Sequence, residues 1–337
     1  MSERKSGFST PHSRRLLLAA GAVAGVLWGP QAFAAEGGAS MYLLGGGVPE
    51  SAITPPVQGV FLDDQAYYYD GASSGSKQFV VGGNLVAGLQ GRIAADFATL
   101  AWVPTTHFLG GTLELGAALP FGAVNADVNA ALQGPLGRRI NVITTDSTFT
   151  VGDPLLLGVV GWSHGDWHYA ASEVVNVPIG DYHDGALANL AFHRWVADTS
   201  GAITWHDEKT GWDVSAKTGL SFNGTNHATD YTTGTEFHLE GSVEKTVAKA
   251  FSLGVIGYYY RQITGDSGSG ATLGPFEGRV IGLGGTAAHT FMLGHMPATL
   301  RLRAGGEFDV RNRMTGNFVS LDLGVPLKLI LPAAARP

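Results

Sequence analysis

From Gly211 to Leu329 the chain alternates apolar and polar residues in run after run. In the stretch Gly211–Phe222, the residues Trp212, Val214, Ala216, Thr218, Leu220 and Phe222 share one face. Asp213, Ser215, Lys217, Gly219 and Ser221 share the other. A period of two marks a pleated strand with one greasy and one wet side. Repeated over many long strands, it predicts an all-β chain that is a transmembrane antiparallel up-and-down β-barrel. The pattern gives about twelve strands, within a range of about ten to fourteen, and an even count returns both ends to the same side.

The strands are expected near 57–69, 84–105, 110–130, 138–163, 166–178, 190–206, 211–223, 233–247, 250–265, 277–291, 298–311 and 315–329. Connections after even-numbered strands are short (106–109, 164–165, 207–210, 248–249, 292–297). Most of those after odd-numbered strands are longer and rich in Gly, Ser, Asp and Asn (70–83, 179–189, 224–232, 266–276). That asymmetry is what periplasmic turns and extracellular loops produce, and a soluble sandwich lacks it. An extracellular hairpin is expected around Gln133–Arg139, and a bulge at Gly122-Ala123, where the apolar phase changes.

The facing of each strand follows from cost. A lipid-facing Arg or Lys costs ~2–4 kcal/mol at the midplane. Leu300, Leu302, Ala304, Phe308 and Val310 are therefore expected outside, with Arg301, Arg303, Glu307, Asp309 and Arg311 toward the lumen. Phe237, Leu239, Val243 and Val247 likewise face out, and Glu236, His238, Glu240 and Glu244 face in.

Residues 1–34 read as a cleaved signal peptide. Arg4, Lys5, Arg14 and Arg15 precede the apolar Leu16–Gly29, and Ala32-Phe33-Ala34 is a small-x-small cleavage site. Ser13–Leu18 also resembles a twin-arginine signal, but a barrel must reach its insertion machinery unfolded, so the general secretory route to the outer membrane is expected. Residues 35–56 form an irregular N-terminal segment, inside the barrel or on the periplasmic side; the barrel occupies 57–330 and 331–337 is a tail.

Composition narrows the class further. Glu3 and the four leader cations give the leader a net +3, so the formal −7 of the whole chain becomes −10 for the rest. An acidic chain without a basic cluster is not a nucleic-acid binder. With Cys at 0 there is no disulfide and no thiolate metal site.

Several segments carry a family resemblance. They are Pro55-Pro56-Val57-Gln58-Gly59, Gly152-Asp153-Pro154, Val177–Tyr182, Asp230–Gly234 running into Glu236-Phe237-His238, Gly257–Gly268 and Asn312–Gly316. In that order they resemble the outer-membrane β-barrel family of the meta-pathway of phenol degradation. The resemblance implies an outer-membrane channel for passive diffusion of small hydrophobic, including aromatic, compounds. Lipid, lipopolysaccharide and the barrel-insertion machinery are the other implied partners. Outer-membrane barrels commonly end on an aromatic residue that the insertion machinery reads; here the last strand is followed by Leu331–Pro337, which weakens that signal or leaves it internal.

Tyr258, Tyr259, Tyr260, Trp162, Trp167 and Tyr169 have two readings: an aromatic path for permeants, or interface girdle anchors. The inward charges have two as well, a selective constriction or an interior ion-pair network. The alternatives to a hydrophobic channel are a porin-like pore for polar solutes and an outer-membrane rim hydrolase. The hydrolase would draw on His183, Asp184, His227 and Asp230, which no motif singles out. His164 and His168 lie about 13 Å apart along a strand, too far for one metal ion. Asp266–Gly270 is thin in ligands for calcium. No cofactor and no catalysis are expected.

Overall fold

The computed structural model describes residues 36–73, 77–133, 139–275 and 277–330. The proposed leader, the tail and the tip of the Gln133–Arg139 hairpin lie outside the described residues. Twelve antiparallel strands close a barrel: β1 (Gln58–Ala72), β2 (Leu89–Phe108), β3 (Gly111–Gln133), β4 in two halves (Arg139–Val151 and Leu155–His164), β5 (Trp167–Asn176), β6 (Val196–Asp207), β7 (Trp212–Asn223), β8 (Glu236–Ala248), β9 (Phe251–Gln262), β10 (Arg279–Leu293), β11 (Met296–Arg311) and β12 (Thr315–Ile330). β1 pairs with both β2 and β12, which completes the ring.

The period-two pattern becomes the two surfaces of this wall. Trp212, Val214 and Phe222 of β7 are exposed on the outside, and Asp213, Ser215 and Ser221 are buried within. Leu239, Val243, Leu300 and Leu302 continue the outer apolar belt. Tight turns follow the even strands, as at Gly165 (φ 60) and at Ala250 (φ 59), and the long connections gather at the opposite end.

β4 is broken at Gly152-Asp153-Pro154, where Gly152 N–H donates to Pro120 O at 2.8 Å. Only its inner half pairs with β5; its outer half pairs with β3 alone. The connection 177–195 fills the free edge, with Asp181 N–H on Val151 O at 2.9 Å. Gly180 must be glycine there, because a Cβ would come within 2.4 Å of the Gly152 backbone.

No bulge exists at Gly122-Ala123. β3 keeps one register with β2 from Leu115 to Val128. The backbone alternation is unbroken, and it is the surroundings that swap. Below Phe121 the outward residues Leu115, Leu119 and Phe121 are exposed and apolar. Above it, Val124, Ala126 and Val128 point inward onto a dry cluster with Phe79, Val81, Val86 and Ala188. Phe79 and Val86 come from a hairpin, Gln78–Val81 and Asn84–Ala87, that folds into the barrel mouth. Its turn, Gly82-Gly83, has positive φ at both positions (53 and 77), as a two-residue hairpin of this hand requires.

A bulge does lie in β11. Between Arg279/Ile281 of β10 the register with β11 shifts, and Asp309 adopts φ 49. Val310 therefore turns in to pack on the interior tyrosines, and Arg311 turns out.

Candidate functional site

The interior is occupied by the chain's own N-terminal segment. Residues 36–57 run through the lumen from the loop end, where Asn226 Nδ2 donates to Glu36 Oε2 at 3.0 Å, to the turn end, where Ala52 N–H donates to Thr204 Oγ1 at 3.2 Å. The barrel is plugged. A segment without regular structure carries many unpaired backbone groups, each costing ~1–3 kcal/mol if buried unmet. The wall meets them with ions. Glu240, 1% exposed, accepts from Gly45 N–H at 2.6 Å and Gly47 N–H at 2.9 Å. Arg303 Nε donates to Val48 O at 2.8 Å. A Cβ at Gly47 would lie 2.2 Å from the Tyr42 hydroxyl, so any larger residue would push that side chain aside.

The expected inward charges divide between roles. Arg301 joins Glu244 of the wall to Glu50 of the plug, at 2.5 and 2.9 Å. Arg303 pairs with Asp322, and His238 Nε2 meets Asp198 at 2.9 Å. Glu236 is buried beside Tyr260, whose hydroxyl donates to it. Glu307 accepts from the Tyr69 hydroxyl at 2.9 Å. These pairings offset the desolvation of buried charge, so the group holds the plug more than it lines an open bore. Asp309 and Arg311, expected toward the lumen, are instead exposed at the loop end; Arg279 Nη2 donates to Asp309 at 2.8 Å. The β11 bulge is the cause.

The aromatic candidates also separate. Tyr258 and Tyr260 are buried inside, in a cluster with Leu44, Val48 and Phe318, and cannot be girdle residues. Tyr259 points out and tilts against Phe237. Trp167 and Tyr169 are exposed on the outer surface, and Trp162 Nε1 donates to Leu109 O at the adjoining turn. These four fit the girdle reading.

Two cavities among the described residues lie beside the plug. The first, about 200 Å³, lies toward the loop end and is mostly apolar, lined by Leu43, Ile93, Pro120, Val124, Leu187 and Leu190 among others. Arg194 and Glu36 border it, and Arg194 Nη2 and Glu36 Oε1 are buried without hydrogen-bond partners among the described residues. The second, about 360 Å³, is polar and bordered by Glu50, Asp63, Gln65, Arg301 and Asp322. Phe97 of β2 lines both.

Asp153 sets the wall of the first cavity. Its buried carboxylate accepts from Gly180 N–H, Phe192 N–H, His193 N–H and Asn176 Nδ2, all between 2.8 and 3.0 Å. One side chain thereby folds the whole 177–195 connection over the opening in β4. The Gly-Asp-Pro segment gave this residue away in the sequence, but not its task.

The hydrolase candidates are not assembled. His183 sits 3.7 Å from Asp181 and is exposed, and Asp230 is engaged with Ser269. Ser200, His238 and Asp198 do meet inside. Ser200 Oγ donates to Asp198 Oδ1 at 2.5 Å, and His238 Nε2 lies 2.9 Å from Asp198 Oδ2 and 3.4 Å from Ser200 Oγ, so the same ring nitrogen faces both the aspartate and the hydroxyl rather than bridging them in series. Asp266 gives its oxygens to the Tyr231 hydroxyl, Gly234 N–H and Gln262, and burial pushes its carboxyl up to about 6. It is a loop tether rather than a calcium ligand.

The family described as "Putative MetA-pathway of phenol degradation" matches residues 74–323. Among solved structures, the COG4313 outer membrane channel from Pseudomonas putida F1 aligns with TM-score 0.64 and 18% identity, over 82% of this chain and 98% of that one. The translocator domain of the autotransporter NalP from Neisseria meningitidis aligns at TM-score 0.40 and 13% identity, over 80% and 88%. A FadL homologue from Pseudomonas aeruginosa aligns at 0.36 and 11%, over 82% and 92%. No curated protein matches the sequence.

Proposed function

This chain belongs to the phenol-degradation family that it matches over residues 74–323, and on that premise we propose that it is an outer-membrane channel for passive diffusion of small hydrophobic, including aromatic, compounds. The observation that carries the reading is the apolar cavity between plug and wall. Lipopolysaccharide bars such molecules from partitioning directly into the membrane, so a protein must supply a greasy path. At about 200 Å³ the cavity suits one aromatic ring. A dry cavity of ~150 Å³ holds benzene, while drug-sized ligands need ~300 Å³ or more. A long acyl chain would not fit without the plug moving.

One end of the cavity is bordered by the buried Arg194–Glu36 ion pair, Nη1 to Oε2 at 3.9 Å. The permeant this cavity suits is accordingly a compact apolar ring. Phe97 then separates this pocket from the polar chamber that leads toward the turn end. Transfer is downhill, with no covalent step and no cofactor.

A porin-like pore for polar solutes is the second reading, favoured by the polar chamber alone. The plug argues against it, because buried bonds to Glu240, Arg301 and Arg303 occupy the lumen. Deleting the gene should slow uptake of a uniformly labelled monoaromatic compound at limiting concentration, while planar-bilayer conductance of the purified protein stays small. Unchanged uptake in the deletion strain overturns the hydrophobic reading, and large steady conductance supports the pore.

A further inference from the structure

The base of the plug meets the wall through three groups of a kind that binds transition metals. Glu50, His206 and Asp213 each present one ligand atom, and the three atoms lie within 4.8 Å of one another. They come from three elements: the plug, the end of β6 and the start of β7. His206 Nδ1 and Asp213 Oδ2 are 3.1 Å apart. Two ligands at ~2.0–2.1 Å from a tetrahedral zinc are separated by about 3.3 Å, so this pair already has nearly the right edge.

Charge gives an independent reason. The strand register sets His206, Asp213 and Glu244 in one row across β6, β7 and β8, with Asp213 directly opposite Glu244. Two facing carboxylates repel unless a cation intervenes. Arg301 answers Glu244 and Glu50 together, and no lysine or arginine bridge to Asp213 is formed among the described residues. With His206 neutral, Glu50, Asp213 and Glu244 against Arg301 leave a surplus of two negative charges, which one divalent ion cancels; a protonated His206 beside Asp213 would halve it. The Arg301 bond takes Glu50 Oε2 and leaves Oε1 for a second partner, an arrangement common where a ligating carboxylate is steadied from behind. Ser215 does the same for Asp213, donating to Oδ1 at 2.7 Å.

We infer that Glu50, His206 and Asp213 form a zinc-type divalent metal site that latches the base of the plug to the barrel wall. A water or a further ligand completes the fourth position. The neutral imidazole binds through Nδ1, giving up its contact with Asp213, and the ion takes the place of that hydrogen bond. Glu50 borders the polar chamber, so the ion also narrows the exit past the plug.

Titrating the full-length, detergent-solubilised protein with Zn²⁺ alone should show one ion per chain at micromolar affinity. His206→Gln and Glu50→Gln should each weaken binding about tenfold or more. Hydrogen exchange of the backbone at 46–54 should slow on adding Zn²⁺ to the native chain and stay unchanged in the variants. Variants that keep the barrel's heat-modifiable gel migration count as folded. Failure of the native chain to bind below millimolar Zn²⁺, or equal affinity in folded variants, overturns the inference.

Discussion

Tyr42 of the plug lies flat on His238 of β8, with ring centroids 3.5 Å apart and planes inclined by 15°. Lys217 Nζ stands 5.2 Å from the centroid of the same tyrosine ring. One plug side chain thus fills the space between a histidine and a lysine of the wall, directly above the Glu240 carboxylate that binds Gly45 and Gly47. The plug is fixed by stacking as well as by hydrogen bonds.

Replacing Tyr42 by Ala should loosen that grip. Removing a fully buried aromatic costs about 3–5 kcal/mol, and the partly buried Tyr42 should cost less. The barrel itself is closed by strand pairing and should persist, so the loss falls on the plug. Single-channel recordings should show larger or more frequent openings for Tyr42→Ala than for the native chain. Equal conductance would mean that the hydrogen bonds alone suffice.

The Asp153→Ala substitution strands three backbone N–H donors of the 177–195 connection. Each buried unmet donor costs ~1–3 kcal/mol, and solvent entry will relieve part of the sum. The connection should come away from the break in β4, and limited proteolysis should cut between 177 and 195 at a rate raised by tenfold or more. Asp153→Asn keeps one acceptor oxygen and should fall between the two.

Asp266 ties Tyr231 and Gly234 to the loop after β9, and burial raises its carboxyl to about 6. Because the folded value exceeds the ordinary 3.8, the proton is held more tightly in the folded loop. Its stabilising contribution is complete below about 3.8 and is lost as pH rises through about 6. Amide exchange in 230–235 and 264–270, corrected for intrinsic rate, should therefore be slower at pH 5 than at pH 7.5. Asp266→Asn should erase the difference.

The residues that local pattern could place are those whose surroundings are set by the bilayer. Twelve strands and their facing followed from dyad alternation because one medium bathes each face over the whole thickness of the membrane. The pattern misleads where that condition ends. Above Phe121 the inside of β3 is dry and its outside wet, so the apolar phase inverts and imitates a bulge. At Asp309 a real bulge goes unannounced, since nothing in Glu307–Arg311 marks a left-handed residue. The interior contacts were illegible for another reason. Gly45 and Glu240 are 195 residues apart, and Glu50 and Arg301 are 251 apart. No period in the chain encodes which wall residue a threaded segment will meet. Asp153 stood out only as part of a short motif, and its four donors become visible once the chain folds.

Phe97 lines both cavities and is the wall position at which the proposed path can be closed or widened. The most direct measurement is flux of a neutral monoaromatic compound into vesicles with a lipopolysaccharide outer leaflet, comparing the native chain with Phe97→Ala, Phe97→Trp and Val124→Asp. The account predicts faster entry for Phe97→Ala and slower entry for Phe97→Trp. Val124→Asp, which places a charge in the apolar cavity, should reduce entry toward the protein-free rate. Native flux no greater than that of protein-free vesicles, or one rate for all four proteins, would contradict passage through the interior.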